Sequence, residues 1–330
     1  MAKPKVFVTR LIPEPGLDLL KQDCDVQVWP EELPPSREAL LAGLAEAEGL
    51  LSLLTDKIDA VLLDAAPSLK VVSNYAVGYD NISVPDATAR GILVCNKPGV
   101  LSETTADLAW SLLMASARRL AEGYDYVRTG KWKTWGPRTF LGWDVHHATL
   151  GIVGLGRIGF EMAKRARGFD MKVLYTNRTR KEEFEAMMGL EWAPLEQVLE
   201  ESDFITLHTP LNDETRHLLG AAQFKQMKST AVLINTARGQ IVDQVALYEA
   251  LKSGEIAYAA LDVTDPEPIA PDDPLLSLPN CLIVPHIGSA SHATRNRMAV
   301  MAAENLLAAL KGERPENLVN PDVWKNRKSI

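Results

Sequence analysis

The chain has 330 residues, 46% of them apolar and 24% charged, with a net charge of −8. That composition belongs to a globular protein and sets aside disordered and fibrous classes. The acidic balance, with no long basic run, argues against a nucleic-acid partner. The length accommodates two domains, each with its own core. No stretch of 18 uncharged apolar residues occurs, so no membrane span is expected. The opening MAKPKVFVTR enters a strand pattern without an apolar signal region, and the closing KSI is not a peroxisomal tripeptide. Cys24, Cys95 and Cys281 follow neither metal-ligand nor CxxC spacing. They read as small buried residues of a reduced, cytoplasmic protein, with no metal bound.

Short apolar runs alternate with helical patterns from the start, the signature of βαβ units and parallel sheets. Strands are expected at 5–9, 25–29, 49–53, 69–74 and 92–95, with helices between them, such as 36–47. Pro98-Gly99 then stops one unit. Ser102 is a plausible N-cap for a long helix to about residue 120, apolar on nearly all sides and therefore buried. The segment KWKTWGPRTFLGWD follows, with Trp132, Trp135 and Trp143. It reads either as aromatic packing in a dimer interface or as a tryptophan that closes the partner subunit's pocket. Six more strands are expected at 148–153, 171–176, 203–207, 230–235, 256–262 and 281–284. The last helical stretch, 291–310, has no strand after it and is expected to pack back on the N-terminal part. One domain then comprises 1–98 with 290–330, and a dinucleotide-binding domain comprises 99–289.

Gly154-Leu155-Gly156-Arg157-Ile158-Gly159 follows a strand run and opens a helix, the context that gives GxGxxG its meaning. Gly154 allows the tight turn, Gly156 lets the backbone approach a pyrophosphate, and Gly159 permits close helix–strand contact. The helix N-terminus offers free N–H groups to the phosphates. In NAD binders an acid about 20 residues further on holds the ribose 2′-hydroxyl. Here Asn177 stands in that place, within the run Asn177-Arg178-Thr179-Arg180. A carboxylate would repel a 2′-phosphate; Asn does not, and Arg178 and Arg180 can grip one by charge-assisted hydrogen bonds. This pattern points to NADP(H), with NAD(H) as a possible second cofactor.

Three segments place polar residues at the carboxyl ends of strands, where open α/β sheets bind ligands. VLINTARGQIVD carries Arg238, whose planar fork suits a carboxylate or carbonyl. AALDVTDPEP carries Asp262, Asp265 and Glu267. LIVPHIGSA carries His286. Of the six histidines (His146, His147, His208, His217, His286 and His292), His286 is singled out because it ends a strand and precedes Gly288. A neighbouring carboxylate would orient it and stabilise its protonated form.

With GLGRIG, NTARGQIVD, LDVTDPEP, PHIGSA, NYAVGYDNIS and KPGVLSETTADLAW all present, the sequence resembles the D-isomer-specific 2-hydroxyacid dehydrogenases over essentially its whole length. LDVTDPEP, CLIVPHIGSASHATRNRM and the NRTRK loop make it most similar to glyoxylate/hydroxypyruvate reductases. The resemblance implies two doubly wound parallel-sheet α/β domains, a Rossmann cofactor domain and a discontinuous flavodoxin-like substrate domain, with a cleft between them, in a homodimer. It implies NADPH-dependent reduction of glyoxylate and hydroxypyruvate to glycolate and D-glycerate. His286 would be the general acid with Glu267 as its partner, and Arg238 would bind and polarise the 2-oxo acid. The N–H groups of Val77 and Gly78 would hold the substrate carboxylate. Asp262 would contact the nicotinamide carboxamide, and Thr105, Thr236, Ala237 and Gly288 would lie along the cofactor. Two positions depart from the pattern: Ser83, where an acid is more common, and Thr264, where an aromatic is common. Another family member such as a phosphoglycerate dehydrogenase, or a non-catalytic dinucleotide-sensing scaffold like the dehydrogenase-like corepressors, would share these motifs.

Overall fold

A computed structural model describes residues 2–328; Met1 and the last two residues of the KSI tripeptide, Ser329 and Ile330, lie outside the described residues. The chain forms two compact units, Met1–Leu101 with Ser289–Ile330, and Ser102–Gly288.

The first unit is built on strands β1 (Lys5–Val8), β2 (Asp25–Val28), β3 (Gly49–Ser52), β4 (Val71–Asn74) and β5 (Leu93–Cys95). All pairs are parallel, in the order β2-β1-β3-β4-β5. Every residue of β3, β4 and β5 is buried, as parallel strands covered by helices on both faces require. The helix His292–Leu310 belongs to this unit. The Ser291 hydroxyl caps it by accepting from the Thr294 N–H at 3.2 Å. Its Met298, Ala299, Ala302 and Leu306 pack with Leu17 and Leu20 of the helix Glu14–Asp23 and with Val71 of β4. A Cβ on Gly16 would stand 2.5 Å from the Ala299 carbonyl oxygen, so the two helices approach to a distance that glycine alone permits.

The second unit contains β6 (Thr149–Val153), β7 (Lys172–Thr176), β8 (Glu191–Trp192), β9 (Phe204–Leu207), β10 (Val232–Asn235), β11 (Tyr258–Leu261) and β12 (Cys281–Ile283). The order is β12-β11-β10-β9-β6-β7-β8, again all parallel. The direction of winding reverses between β6 and β9, the switch point at which such sheets take ligands outside the strands' carboxyl ends. Six of the seven strands match the sequence expectation. The seventh, β8, is two exposed residues with no apolar pattern to announce it.

The expected long helix is shorter and begins one residue earlier. It spans Ser102–Ala117, so Ser102 is its first residue and not its cap. It stops because Arg119 adopts the left-handed conformation (φ 51°), from which a second helix, Leu120–Arg128, sets out. Ala106, Ala109, Leu112 and Leu113 of the first helix join Leu150, Ile152 and Tyr258 in the core of this unit. Trp143 packs against the same core, whereas Trp132 and Trp135 are exposed. Among the described residues no helix is long and apolar enough to cross a membrane.

Candidate active site

The glycine loop sits at the switch point, directly after β6. Gly154 turns the chain with φ +97°, and a Cβ on it would stand 2.7 Å from the Thr209 nitrogen. A Cβ on Gly159 would stand 2.4 Å from the Gly154 carbonyl oxygen and 3.1 Å from Ile152 Cγ2. The helix Arg157–Arg167 lies against β6 only because that atom is missing. Gly156, the N-cap of this helix, differs: nothing lies within 4 Å of where its Cβ would be. No side chain caps the helix there, so its first amides have no capping oxygen and an open approach lies beside them. Leu155 is wholly buried beneath the turn, while Arg157 is exposed and Ile158 half-buried. At the end of β10, the Thr236 hydroxyl is buried and has no hydrogen-bond partner among the described residues, an unmet polar atom of the kind a bound group satisfies. An open glycine, uncapped amides and a buried orphan hydroxyl fit a dinucleotide.

At the end of β7 the Asn177 side chain donates to the Thr179 carbonyl at 2.9 Å and shapes the turn. Arg178 is exposed and forms no ion pair among the described residues. Arg180 is engaged: its Nε and Nη2 reach the two oxygens of Glu185 at 2.8 and 2.6 Å. The Tyr175 hydroxyl donates to the same carboxylate at 2.6 Å and accepts the Lys181 N–H at 2.7 Å. The Arg180 and Tyr175 hydrogen bonds hold the Glu185 carboxyl down at about 2. Of the two cations read from the sequence, Arg178 is the one available to a new anion.

The three polar segments meet through backbone contacts. Asn235, the last residue of β10, accepts the Ala237 N–H at 3.0 Å and donates to the Arg238 carbonyl at 2.9 Å. It thereby fixes the turn that presents Arg238. Nη1 of Arg238 donates back to the Ala237 carbonyl at 2.8 Å. A Cβ on the next residue, Gly239, would stand 2.0 Å from the Thr264 carbonyl oxygen, so this turn rests directly on the loop after β11. That loop carries Asp265, whose carboxylate takes a hydrogen bond from Gln240 Nε2 at 3.1 Å, and Glu267. Glu267 Oε1 lies 2.5 Å from His286 Nδ1. Of the three acids in the segment, Glu267 is the one whose carboxylate is bonded to the imidazole.

Asp262 holds the histidine's loop. Its carboxylate oxygens accept the N–H groups of Ile287 at 2.6 Å and Gly288 at 2.8 Å, and its carbonyl accepts the His286 N–H at 3.0 Å. Burial pushes its carboxyl upward, against the pull of these donors and of nearby His286. His286 sits in the left-handed region at φ 51°. Gly288 lies beside Thr105: a Cβ on it would be 3.3 Å from Thr105 Cγ2.

In the first unit, Val77 and Gly78 follow β4 in a turn whose carbonyls are drawn inward. Asn74 Nδ2 donates to the Gly78 carbonyl at 2.9 Å and Asn96 Nδ2 to that of Val77 at 2.8 Å. Among the described residues the amides of Val77 and Gly78 donate to no acceptor.

Residues 110–288 match the model of the D-isomer specific 2-hydroxyacid dehydrogenase NAD-binding domain. A glyoxylate reductase of Korarchaeum cryptofilum is 56% identical over 326 residues, covering 98% of each chain. The chain belongs to the D-isomer specific 2-hydroxyacid dehydrogenases. It is an NAD(P)-dependent oxidoreductase of that family. A solved Thermus thermophilus structure superposes with a TM-score of 0.91 at 47% identity, over 96% of this chain and 99% of that one. An NADPH-dependent glyoxylate/hydroxypyruvate reductase from Sinorhizobium meliloti, solved with NADP and malonate, superposes at 0.88 with 32% identity over the whole of both chains.

Sequence reasoning passed over the residues that hold the family's motifs in place. Asn74, Asn96 and Asn235 each pin a turn that carries sequence-predicted site residues, and Gln240 occupies Asp265. Asn235 alone left a readable trace, an Asx-type residue at a strand end before the arginine. The departures at Ser83 and Thr264 are absorbed locally. Ser83 donates to Asp86, and buried Thr264 donates to the Pro266 carbonyl at 2.8 Å. His208 contrasts with His286: it is completely buried, and burial pushes its imidazole down to about 3. It therefore stays a neutral imidazole near neutral pH, unsuited to act as a general acid there.

Proposed function

We propose that this chain reduces glyoxylate and hydroxypyruvate to glycolate and D-glycerate, with NADPH preferred over NADH, and works as a homodimer in the cytoplasm. The observation that carries the reading is the His286–Glu267 pair, fixed by Asp262 at the carboxyl end of the sheet beside the turn that presents Arg238. Reductases of both substrates among its relatives support the choice of acid, and the acid-free loop after β7 supports the choice of cofactor.

The bound nicotinamide supplies the hydride; the residues of the chain supply the rest. The guanidinium of Arg238 pairs with the 2-oxo acid and stabilises negative charge growing on the carbonyl oxygen. The amides of Val77 and Gly78 hold the substrate carboxylate. His286 holds a proton at Nε2 and gives it to the forming alkoxide, while Glu267 accepts at Nδ1 and keeps the ring in the productive tautomer. Asp262 maintains the loop and faces the carboxamide, beside Thr105 and Gly288. The glycine loop seats the pyrophosphate, and Arg178 takes the 2′-phosphate.

The test is a panel of 2-oxo acids against NADPH and NADH. Glyoxylate and hydroxypyruvate should lead it; no turnover of any member would favour a sensing scaffold. Within that assay, Arg238→Lys keeps the charge and loses the fork. It should raise KM for glyoxylate by about 10-fold, the effect of roughly 1.4 kcal/mol. Unchanged kinetic constants would show that another group binds the substrate.

A further inference from the structure

We propose that Lys97 is a buried positive charge that strengthens carboxylate binding at the Val77 and Gly78 amides. The inference rests on the reading above that these amides hold the substrate carboxylate.

Lys97 follows β5, and its side chain is wholly buried. Its ammonium donates to the main-chain carbonyl of Asn74 and, at 3.1 Å, to the Ser73 hydroxyl. Its own backbone N–H donates to the Ala76 carbonyl at 3.0 Å. Every one of these contacts falls on the end of β4 and the turn that runs into Val77. The Ser73 hydroxyl spends its proton on the Ala302 carbonyl at 2.9 Å, so it meets Lys97 as an acceptor. The ammonium is thus held by two neutral oxygens, and no carboxylate is bonded to it among the described residues.

The groups packed around it offer no counter-charge. Cys95, the last residue of β5, has its thiol pushed up to about 12 by burial and stays neutral. Tyr75, beside the β4 contacts, is also pushed up to about 12 by burial, and its hydroxyl donates to the Arg295 carbonyl. The helix His292–Leu310 presents the Ala302 carbonyl through Ser73 and the Asn305 amide to the Asn96 carbonyl. A buried charge without a partner is unfavourable, and burial lowers the Lys97 ammonium to about 7. Such a group gains most when an anion arrives nearby. In this turn the carbonyls of Val77 and Gly78 are tied inward by Asn96 and Asn74 and their amides are left to donate. A carboxylate received there sits over the peptide that Lys97 supports, in an interior where charges act more strongly than in water.

The alternative is that Lys97 is only a prop for the turn. Two variants separate these roles. Lys97→Met removes charge and donors at similar length; Lys97→Gln keeps donors for Asn74 and Ser73 without charge. The pH dependence follows from the lowered value: the wild type is charged below about 7 and neutral well above it. KM for glyoxylate in both variants, relative to the wild type, should be raised about 10-fold at pH 6 and return towards equality by pH 9. kcat should change less than KM. Rescue by Gln at pH 6, or equal KM values in a wild type that does turn over glyoxylate, would overturn the inference and leave the reductase reading standing. Calorimetric titration with oxalate repeats the comparison without turnover. If oxalate shows the same pH-dependent ratio but glyoxylate is not reduced, the charge stands and the substrate reading falls. Relative to both variants, the wild type should melt higher at pH 9 than at pH 6, because over that range the folded protein holds fewer protons on Lys97 than the unfolded chain does. A difference in melting temperature that is the same at pH 6 and pH 9 would overturn the proposal, because Lys97 would then keep an ordinary lysine's charge across that range.

Discussion

Replacing His286 by Asn should lower kcat for glyoxylate by roughly 10²–10⁴, the usual effect of a general acid, while NADPH binds with a Kd close to wild type. Asn suits the test because the backbone here is left-handed, at φ 51°, a conformation that Asn tolerates better than most residues. The N–H contact to the Asp262 carbonyl and the loop beneath it should therefore survive. What is lost is a group able to hand over a proton. Glu267→Gln should cost less, because the imidazole remains and loses only the carboxylate at Nδ1. NADPH fluorescence titration and steady-state rates together check both variants. Turnover within about threefold of wild type in His286→Asn, well inside the span above, would remove this histidine from the chemistry.

The second large effect is expected at the end of β7. Arg178→Ala should weaken NADPH by about 10- to 150-fold, since hydrogen bonds to a charged group contribute roughly 1.5–3 kcal/mol each. NADH, which has no 2′-phosphate, should be almost unaffected. Arg180→Ala should do less, because its guanidinium is already forked on Glu185. Asn177→Asp places a carboxylate that repels the phosphate and accepts from the ribose hydroxyl of NADH. Combined with Arg178→Ala, it should reverse the preference. The measurement is kcat/KM for both cofactors with glyoxylate at one ionic strength, because exposed charges are screened by salt. A wild type indifferent to the phosphate, with Arg178→Ala changing nothing, would reduce this loop to surface charge.

What could be read from the sequence was what depends on near neighbours. The strands of both sheets are legible because a parallel strand covered on both faces is a short unbroken apolar run, as in β10 and β11. The glycine loop is legible because its demands are local: the left-handed turn at Gly154 and the missing Cβ at Gly159 arise within six residues of chain. β8 was not legible, since Glu191 and Trp192 are both exposed. Nor was the break at Arg119, a left-handed residue that is neither Gly nor Asn. The supports of the site escaped for another reason. Asn96 holds a carbonyl 19 residues away, and Lys97 looks in sequence like any surface lysine, although folding encloses it completely. Likewise, nothing in NRTRK shows that Arg180 is taken by Glu185.

Gly156 shows how one missing methyl group sets two demands against each other. Its backbone is extended (φ −87°, ψ −159°), and no atom stands where a side chain would begin. An alanine Cβ would meet no neighbouring atom and, by restricting the denatured chain, would favour folding by about 0.4–1 kcal/mol. Durability alone would therefore select against glycine here. On the proposed reading the pyrophosphate enters beside this glycine, so the position gives up heat resistance for the right of admission.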